Sequence, residues 1–451
     1  MDESFPKSTH AFLELYKSNL GKLGQTDAKA NYPKITRENS ILLNNLQYFR
    51  VKVLAENEQS NMGLIGLGIQ MKTILIIIVL VVVFSCQRKE SKDVPIYQIQ
   101  DLVVEDIKLD SLILEKDYFS GVGFFSVGKD QLFFVDQVFS TVIAFSKDGA
   151  YEGTYLGKGD GPDEQSYIHG FLPFAYKGQH VVLDDFELVV FDENFQKGKS
   201  FPIEWNYSES YQDMLSSPKG SMLGLYEIDW KSRGNNTPFL ILGEGDEALL
   251  PITMSHPTLN GYISEDYYKT VSVLGRYVFL NKKVSEGFGK RSEEYLTHRF
   301  LPNFDFSHFT ERQDEILISF AIDPLIHVYG VDGVLKYKFG VKGLNINSNY
   351  PKTNTIDDAL DNYKRDLEKA GFYGTVFSDK DQGLTFRTYY PDGLEKGNAR
   401  LQIYRENLLI GDVKVPERFK VIGKIDDNYY ADGIVDELND RLGVYIFKLK
   451  L

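Results

Sequence analysis

The chain has 451 residues, of which 43% are hydrophobic and 25% are charged, and its net charge at pH 7 is −14. Nucleic-acid-binding domains normally carry a basic face, so this acidic balance argues against DNA and RNA as partners. The length is sufficient to bury a large core, and the single cysteine excludes an internal disulfide.

Residues 1–70 precede the clearest targeting signal of the chain. They carry two helical patterns, over residues 9–20 and 37–55, but too few apolar residues for a substantial core of their own. We interpret residues 1–70 as a non-native N-terminal extension from an upstream start, with Met71 as the true first residue. The alternative is a genuine cytoplasmic segment, followed by a membrane helix in which residues 62–69 lengthen the next apolar run.

That next run has the order of a secretory signal peptide. Lys72 supplies a positive start, residues 74–84 are apolar without interruption, and Ser85 precedes Cys86. A helix needs about 20 apolar residues to cross a bilayer core, so this run is too short to span one by itself. The pattern predicts a signal peptide over residues 71–85.

The end of this signal, V-F-S-C, resembles the lipobox of bacterial lipoproteins, in which the cysteine carries the lipid. The resemblance implies lipid attachment at Cys86, membrane association through more than one acyl chain, and a polar tether over residues 86–94. It places the protein in the cell envelope, with the leaflet undecided. The alternative is that Cys86 is a small buried residue at the end of an apolar helix.

From residue 95 on, short β-rich runs alternate with turn residues. One phrase, a strand that ends in aspartate and is followed by another strand, occurs at residues 131–136, 180–185, 316–323 and 421–427. Its spacing fits a unit of about 40 to 50 residues, which is typical of β-propeller blades. We expect residues 95–109 to complete the sheet that ends with residues 444–449, so that the two termini close the ring.

Residues 131–164 contain L-F-F-V-D and then I-A-F-S-K-D-G-A-Y-E-G-T-Y-L-G-K-G-D-G-P-D-E. This stretch resembles the six-bladed β-propeller lipoproteins of Bacteroides-type bacteria, which are largely of unknown function and distantly similar to NHL and TolB-like propellers. The resemblance implies an all-β, six-bladed propeller over residues 95–451. The repeat spacing alone also allows seven blades.

One amphipathic helix is predicted inside this all-β region, over residues 355–371. Thr355 and Asp358 resemble a capping box, and Gly371 ends the pattern. The apolar positions that share one face are Ile356, Ala359, Leu360, Tyr363, Leu367 and Ala370. The helix is either a lid or partner surface, or a cover for an apolar rim of the ring.

Aspartates end the repeated strands, and equivalent positions in a ring of blades point to the same mouth of its channel. The candidate binding residues are Asp136, Asp184, Asp185, Asp323 and Asp427. Clustered carboxylates raise one another's pKa and can divide acid and base roles. The alternative is that aspartate favours these turns through hydrogen bonds to the backbone.

Other chemical signatures are weak. The sequence contains no H-E-x-x-H, G-x-S-x-G, P-loop or paired C-x-x-C pattern. Acidic groups within residues 160–164 and 432–440 offer oxygen ligands, but neither stretch fits the twelve-residue calcium loop. We therefore predict no metal and no cofactor.

The sequence predicts a lipid-anchored binding or interaction module of the cell envelope, with a peptide, glycan or protein as its partner. One alternative is a glycan-active hydrolase or lyase that uses the ring of aspartates. Another is a sensor or accessory subunit of an envelope complex. Propellers serve all three functions, so the fold alone does not choose among them.

Overall fold

Six sheets, each built on consecutive antiparallel strands, follow one another along the described part of the chain and form the six blades of a β-propeller. The computed structural model describes residues 94–114, 119–161, 164–230, 238–243, 245–298, 300–353, 355–436 and 441–449. The predicted extension, the signal peptide and Cys86 lie outside the described residues.

Blades I to III occupy the first half of the ring. Blade I consists of Gly123–Val127, Gln131–Asp136, Thr141–Ser146 and Tyr151–Leu156, in order from the inside outwards. Blade II consists of Gly170–Tyr176, Gln179–Asp184, Glu187–Phe191 and Lys197–Pro202. Blade III consists of Tyr226–Ile228 with Leu240–Leu242, then Glu247–Met254, Ser272–Val278, Lys283–Lys290 and the short parallel strand Glu204–Trp205.

Blades IV to VI complete the ring. Blade IV consists of Ser307–Arg312, Glu315–Phe320, Ile326–Gly330, Leu335–Phe339 and Ile96–Tyr97. Blade V consists of Phe372–Asp379, Leu384–Tyr390, Ala399–Arg405, Leu408–Val415 and Ile99–Val104. Blade VI consists of Lys420–Ile425, Asn428–Asp436, Arg441–Phe447 and Asp110–Ile113.

The core lies between adjacent blades, and strand alternation distributes side chains to both neighbours. Phe133 packs in a cluster with Phe171 and Val182 of blade II. The next residue, Phe134, packs on the other side with Tyr430 of blade VI. Because successive side chains of a strand point to opposite faces, both faces of a blade must be apolar. This explains why the second strands read as nearly continuous hydrophobic runs.

The N-terminal segment closes the ring, but with other residues than the sequence suggested. Asp110–Ile113 pairs antiparallel with Arg441–Phe447, and Val444 lies opposite Leu112. Residues 95–109, which were expected to complete that sheet, instead form parallel outer strands of two other blades. Ile96–Tyr97 joins blade IV and Ile99–Val104 joins blade V. The prediction was wrong about which residues close the ring. Each of the short runs before residue 114 can serve as an edge strand, and the sequence does not say which sheet each run reaches.

The predicted helix is present over Ile356–Lys369, and its N-cap is the predicted one. The Thr355 hydroxyl oxygen accepts a hydrogen bond from the Asp358 backbone N–H at 3.1 Å. The helix buries Ala359 and Leu367, while Leu360 and Tyr363, expected on the buried face, are exposed. Asn303 explains this rotation, because its side-chain amide donates to the Ala359 carbonyl and to the Asp366 carboxylate, both at 2.9 Å.

Three further short helices lie in the connections: Tyr211–Ser216, Glu265–Thr270 and Glu294–Thr297. Single 3-10 turns occur at Leu223–Leu225 and Pro302–Phe304. Among the described residues, no helix has the length and apolar character that crossing a membrane requires.

The innermost strand of blade III is interrupted. Tyr226–Ile228 pairs with one half of Glu247–Met254, and Leu240–Leu242 pairs with the other half. Trp230 follows the first piece by two positions and belongs to neither. The interruption therefore brings a tryptophan to the inner part of the ring.

Candidate functional site

The innermost strands of all six blades surround a cavity of about 240 Å³ on the ring axis. Each of these strands is at the edge of its sheet, and an edge strand directs a row of backbone N–H and C=O groups away from its partner. The polar side chains among the lining residues are Ser126, His308, Thr375, Lys420 and Asp432. The channel can therefore offer hydrogen bonds from backbone and side chains together.

Asp432 is the acidic group of the channel. It stands opposite Lys420 in the register of blade VI. Burial raises the pKa of the Asp432 carboxyl, and the positive charges of Lys420 and Arg418 oppose that rise. Within the described residues, no group of three or more His, Cys, Asp or Glu side chains is arranged to hold a metal ion.

Asp136, the first of the predicted aspartates, is fully buried at the end of the second strand of blade I. Its carboxylate accepts hydrogen bonds from the Ser120 backbone N–H at 2.6 Å and from the Ser120 hydroxyl at 2.7 Å. It also accepts hydrogen bonds from the backbone N–H groups of Val138 at 3.1 Å and of Phe139 at 3.2 Å. These bonds fix the turn that follows and tie it to the residues before the innermost strand.

Asp184 ends the second strand of blade II, is also buried, and is bonded to residues that precede the innermost strand of that blade. The Ser166 hydroxyl lies 2.8 Å from its carboxylate, and the Tyr167 backbone N–H donates at 3.3 Å. Burial raises the pKa of Asp184, although these hydrogen bonds act in the opposite direction. The turn after it contains two residues, Asp185 and Phe186, because Asp184 pairs directly with Glu187.

Asp185 differs from Asp184 because its carboxylate reaches solvent. Its backbone φ is 40°, a left-handed conformation that aspartate tolerates better than most residues. The side chain is 56% exposed and lies 3.1 Å from His169 Nε2 and 3.2 Å from the Ser166 hydroxyl. Among the predicted aspartates, it is the one on this face whose carboxylate a ligand can reach.

Asp323 is only 3% exposed and follows the second strand of blade IV. Its carboxylate accepts hydrogen bonds from His327 Nε2–H at 2.8 Å and from the Leu325 backbone N–H at 2.8 Å. Burial alone would raise the pKa of Asp323, but the hydrogen bonds from His327, Ser292 and the Leu325 backbone N–H, with the electrostatic attraction of the His327 imidazole, hold the pKa below its ordinary value. The carboxylate stabilises the turn.

Arg387 of blade V completes this buried group. Its guanidinium donates to the Ser319 hydroxyl at 2.8 Å, to the Pro324 carbonyl at 2.7 Å and to the Asp323 carbonyl at 2.6 Å. It also lies 3.7 Å above the Tyr373 ring centroid. The top of blade IV is thus locked to blade V.

Asp427 lies at the other end of the ring. It belongs to the exposed turn between Lys420–Ile425 and Asn428–Asp436, the first and second strands of blade VI. Asp136, Asp184 and Asp323 end or follow second strands instead. The phrase at residues 421–427 is a first strand, and the sequence pattern does not distinguish first from second strands. The five aspartates consequently do not form one collar of equivalent groups, and their part in binding stays a prediction.

The end of the ring that carries Asp136, Asp184 and Asp323 is called the upper face below. Its turns in blades I and II present apolar side chains to solvent: Val138 is 44% exposed, Phe139 37% and Phe186 69%. Val138 and Phe139 lie two and three positions after the buried Asp136, and Phe186 lies two positions after the buried Asp184. The turns after these two aspartates therefore carry exposed apolar groups, which the sequence pattern did not suggest.

Phe186 belongs to a row of four rings between blades II and III, called the aromatic row below. The ring centroids of Tyr167 and His169 are 4.5 Å apart, those of His169 and Trp230 are 4.1 Å apart, and those of Trp230 and Phe186 are 6.4 Å apart. His169 directly precedes the innermost strand of blade II, whose Phe171 lines the channel. The row therefore lies at the inner rim of the upper face.

Sequence reasoning missed the aromatic row. His169 and Trp230 lie 61 positions apart in loops, and no local pattern relates them. The available signal was compositional: the chain contains two tryptophans, and one of them precedes a stretch without strand character.

Comparison with known proteins identifies the fold. A crystal structure of a DUF4221 family member from Bacteroides vulgatus superposes with a TM-score of 0.54 at 14% identity, covering 77% of this chain and 99% of that one. The chain shares the fold of that structure, and its own sheets form six blades. This outcome confirms the predicted fold class and resemblance.

Two weaker structural matches accompany it. A candidate exported protein of Bacteroides fragilis has a TM-score of 0.49 at 14% identity, over 79% of this chain and 99% of that one. The propeller domain of Swd1 from a Myceliophthora fungus has a TM-score of 0.40 at 10% identity, over 76% and 100%. No family model and no curated protein matches the sequence. The comparisons therefore establish the fold and leave the function open.

Proposed function

We propose that the chain is a binding module of the bacterial cell envelope that engages a peptide, glycan or protein with the upper face of blades I to III. The observation that carries the proposal is the exposure of Val138, Phe139 and Phe186 in the turns after Asp136 and Asp184, the first of which is held by hydrogen bonds to the Asp136 carboxylate. Exposed apolar groups that are held in place mark interaction sites, because their contact area is gained without ordering the loop.

The sequence supports the location. The apolar run of residues 74–84 followed by Ser85 and Cys86 has the order of a lipoprotein signal, and residues 86–94 are polar. We propose lipid attachment at Cys86. Radiolabelled palmitate should enter the wild-type full-length protein and not Cys86→Ala, and the wild-type product should fractionate with membranes. Equal labelling of the two proteins would contradict this part of the proposal.

The binding surface is tested with paired variants of the full-length protein. A peptide-display library and a panel of soluble polysaccharides are first screened against the wild type. Any binder is then measured against the double variant Phe139→Ser with Phe186→Ser, which removes apolar area from the upper face. We expect the affinity to fall at least about tenfold, as for residues at the centre of an interface.

Leu280 provides the matched control. It is 91% exposed and lies in the turn between the third and fourth strands of blade III, at the end of the ring opposite the upper face. Leu280→Ser should leave the affinity unchanged. Equal affinity in the double variant and the wild type would overturn the proposed surface.

A further inference from the structure

We propose that the aromatic row and the Asp185 carboxylate form a subsite for one pyranose ring of a neutral polysaccharide. This inference rests on the proposed function and names the ligand class of the same face. The subsite combines an apolar surface, formed by the rings of the aromatic row, with a hydrogen-bond acceptor beside it, the Asp185 carboxylate.

The apolar side of the subsite is the ring surface of Phe186 and Trp230. Phe186 stands at 76° to Trp230, so the pair presents an edge and a face rather than one flat stack. His169 packs against Trp230 at an interplanar angle of 36° and supports it from blade II. A pyranose ring has an apolar face of C–H groups, and an aromatic surface of this kind can bury that face.

The polar side is Asp185. A carboxylate has about four lone-pair positions, and two contacts are present here, from His169 and from Ser166. The half-exposed carboxylate therefore retains capacity for sugar hydroxyl groups. Hydrogen bonds to an ionised acceptor are shorter and stronger than neutral ones, so they would orient a sugar ring on the aromatic surface.

Charge selects a neutral saccharide over an acidic one. Asp184, Asp185 and Glu187 are close together at this turn, and the whole chain has a net charge of −14. An anionic polymer would be repelled at this position. An apolar peptide would cover Asp185 and remove it from water without supplying donors, which costs free energy. A neutral ring rich in hydroxyl groups satisfies both sides of the subsite.

The two tryptophans make the test direct. Trp205 stacks near Tyr226 in blade III, at a centroid distance of 6.3 Å, while Trp230 belongs to the row. Full-length protein is titrated with dextran, galactomannan and xyloglucan, and with polygalacturonate as an anionic counterpart, and tryptophan fluorescence is followed. A neutral polysaccharide should change the emission of the wild type and of Trp205→Phe, but not that of Trp230→Phe.

Affinity is measured independently by electrophoresis through gels that contain each polysaccharide. Phe186→Ala should weaken retention about tenfold and Asp185→Asn should weaken it severalfold. Leu280→Ala is the matched control, because Leu280 is 91% exposed at the end of the ring opposite the upper face and should retain full affinity. Thermal unfolding of each variant verifies that it remains folded.

The remaining outcomes separate the two proposals. Polysaccharide binding that survives both Phe186→Ala and Trp230→Ala overturns the subsite and leaves the binding function. Tighter binding of polygalacturonate than of every neutral polymer overturns the neutral ligand class. Binding restricted to displayed peptides, and lost in Phe186→Ala, overturns the saccharide and supports the proposed surface. Binding in neither arm overturns both.

Discussion

The turns at the top of blades II and IV start from the same sequence phrase and use aspartate differently. In blade II, Asp184 is buried, while the next residue, Asp185, is 56% exposed on its side chain and followed by the exposed Phe186. In blade IV, Asp323 is buried against His327, and the turn is bonded to Arg387 from blade V.

The difference lies in what the neighbouring blade contributes. Blade V supplies a buried guanidinium that fills the space above blade IV. Blade III supplies Trp230 from its interrupted inner strand, and the turn of blade II remains open beside it. An aspartate at the end of a propeller strand is thus structural by default, and the adjacent blade determines whether the turn after it is accessible. Three predictions test this comparison.

The largest effect is expected at the closed turn. Arg387→Met keeps apolar volume above Tyr373 but removes every hydrogen bond to the Ser319 hydroxyl and to the carbonyls of Asp323 and Pro324. Leaving buried polar groups without partners should lower the free energy of unfolding by about 3–5 kcal/mol, measured by urea denaturation. Arg405→Met is the control, since Arg405 lies on the same blade and is exposed. Equal stability of the two variants would contradict the assignment of Arg387 to a structural role.

A smaller loss is expected for Asp136→Ala, because the backbone N–H groups of Val138 and Phe139 lose their acceptor. We expect a decrease of about 1–3 kcal/mol in the free energy of unfolding, together with weaker ligand binding through the loosened Phe139 turn. Asp185→Asn should change stability by less than about 0.5 kcal/mol, because asparagine also tolerates the left-handed backbone conformation at this position. If Asp185→Asn were the more destabilising of the two, the division between buried and accessible aspartates would be wrong.

The smallest effect is a difference in pH dependence. The pKa of Asp184 is raised by burial, so its contribution to stability is present below the ordinary value of 3.8 and is lost as pH rises through the raised pKa. The pKa of Asp323 is lowered, so its contribution is present above 3.8 and is lost as pH falls through the lowered pKa.

Urea denaturation of Asp184→Asn and Asp323→Asn between about pH 3 and pH 6 tests these signs. The free energy of unfolding that Asp323→Asn loses relative to the wild type should become smaller as pH falls. The free energy of unfolding of Asp184→Asn should rise relative to that of the wild type as pH rises. A parallel pH dependence of the two variants would show that the two turns are electrostatically alike.

Much of the fold could be predicted from the sequence, because its signals are local. Strand alternation, turn residues and the period of the aspartate phrase indicated blades, and Thr355 with Asp358 located the start of the helix. These features depend on residues a few positions apart. The predictions failed where distant residues decide, as with Asp427, whose run is a first strand, and with residues 95–109, which join blades IV and V.

Less of the candidate site could be predicted, because residues distant in the sequence form it. Asp185 was identified as one of a series, but Phe186 beside it was not, since a single aromatic residue in a turn carries no signal. Trp230 reaches blade II only because the inner strand of blade III is interrupted. No local pattern in the sequence marks that interruption.

The strands near the N-terminus have a consequence for folding. Ile96–Tyr97, Ile99–Val104 and Asp110–Ile113 pair only with strands that lie between residues 335 and 447. These pairings join residues far apart in the sequence, so the entropy of closing such long loops delays them relative to the contacts within each blade. Blades IV, V and VI are therefore complete only after the segment at residues 96–113 has paired with them.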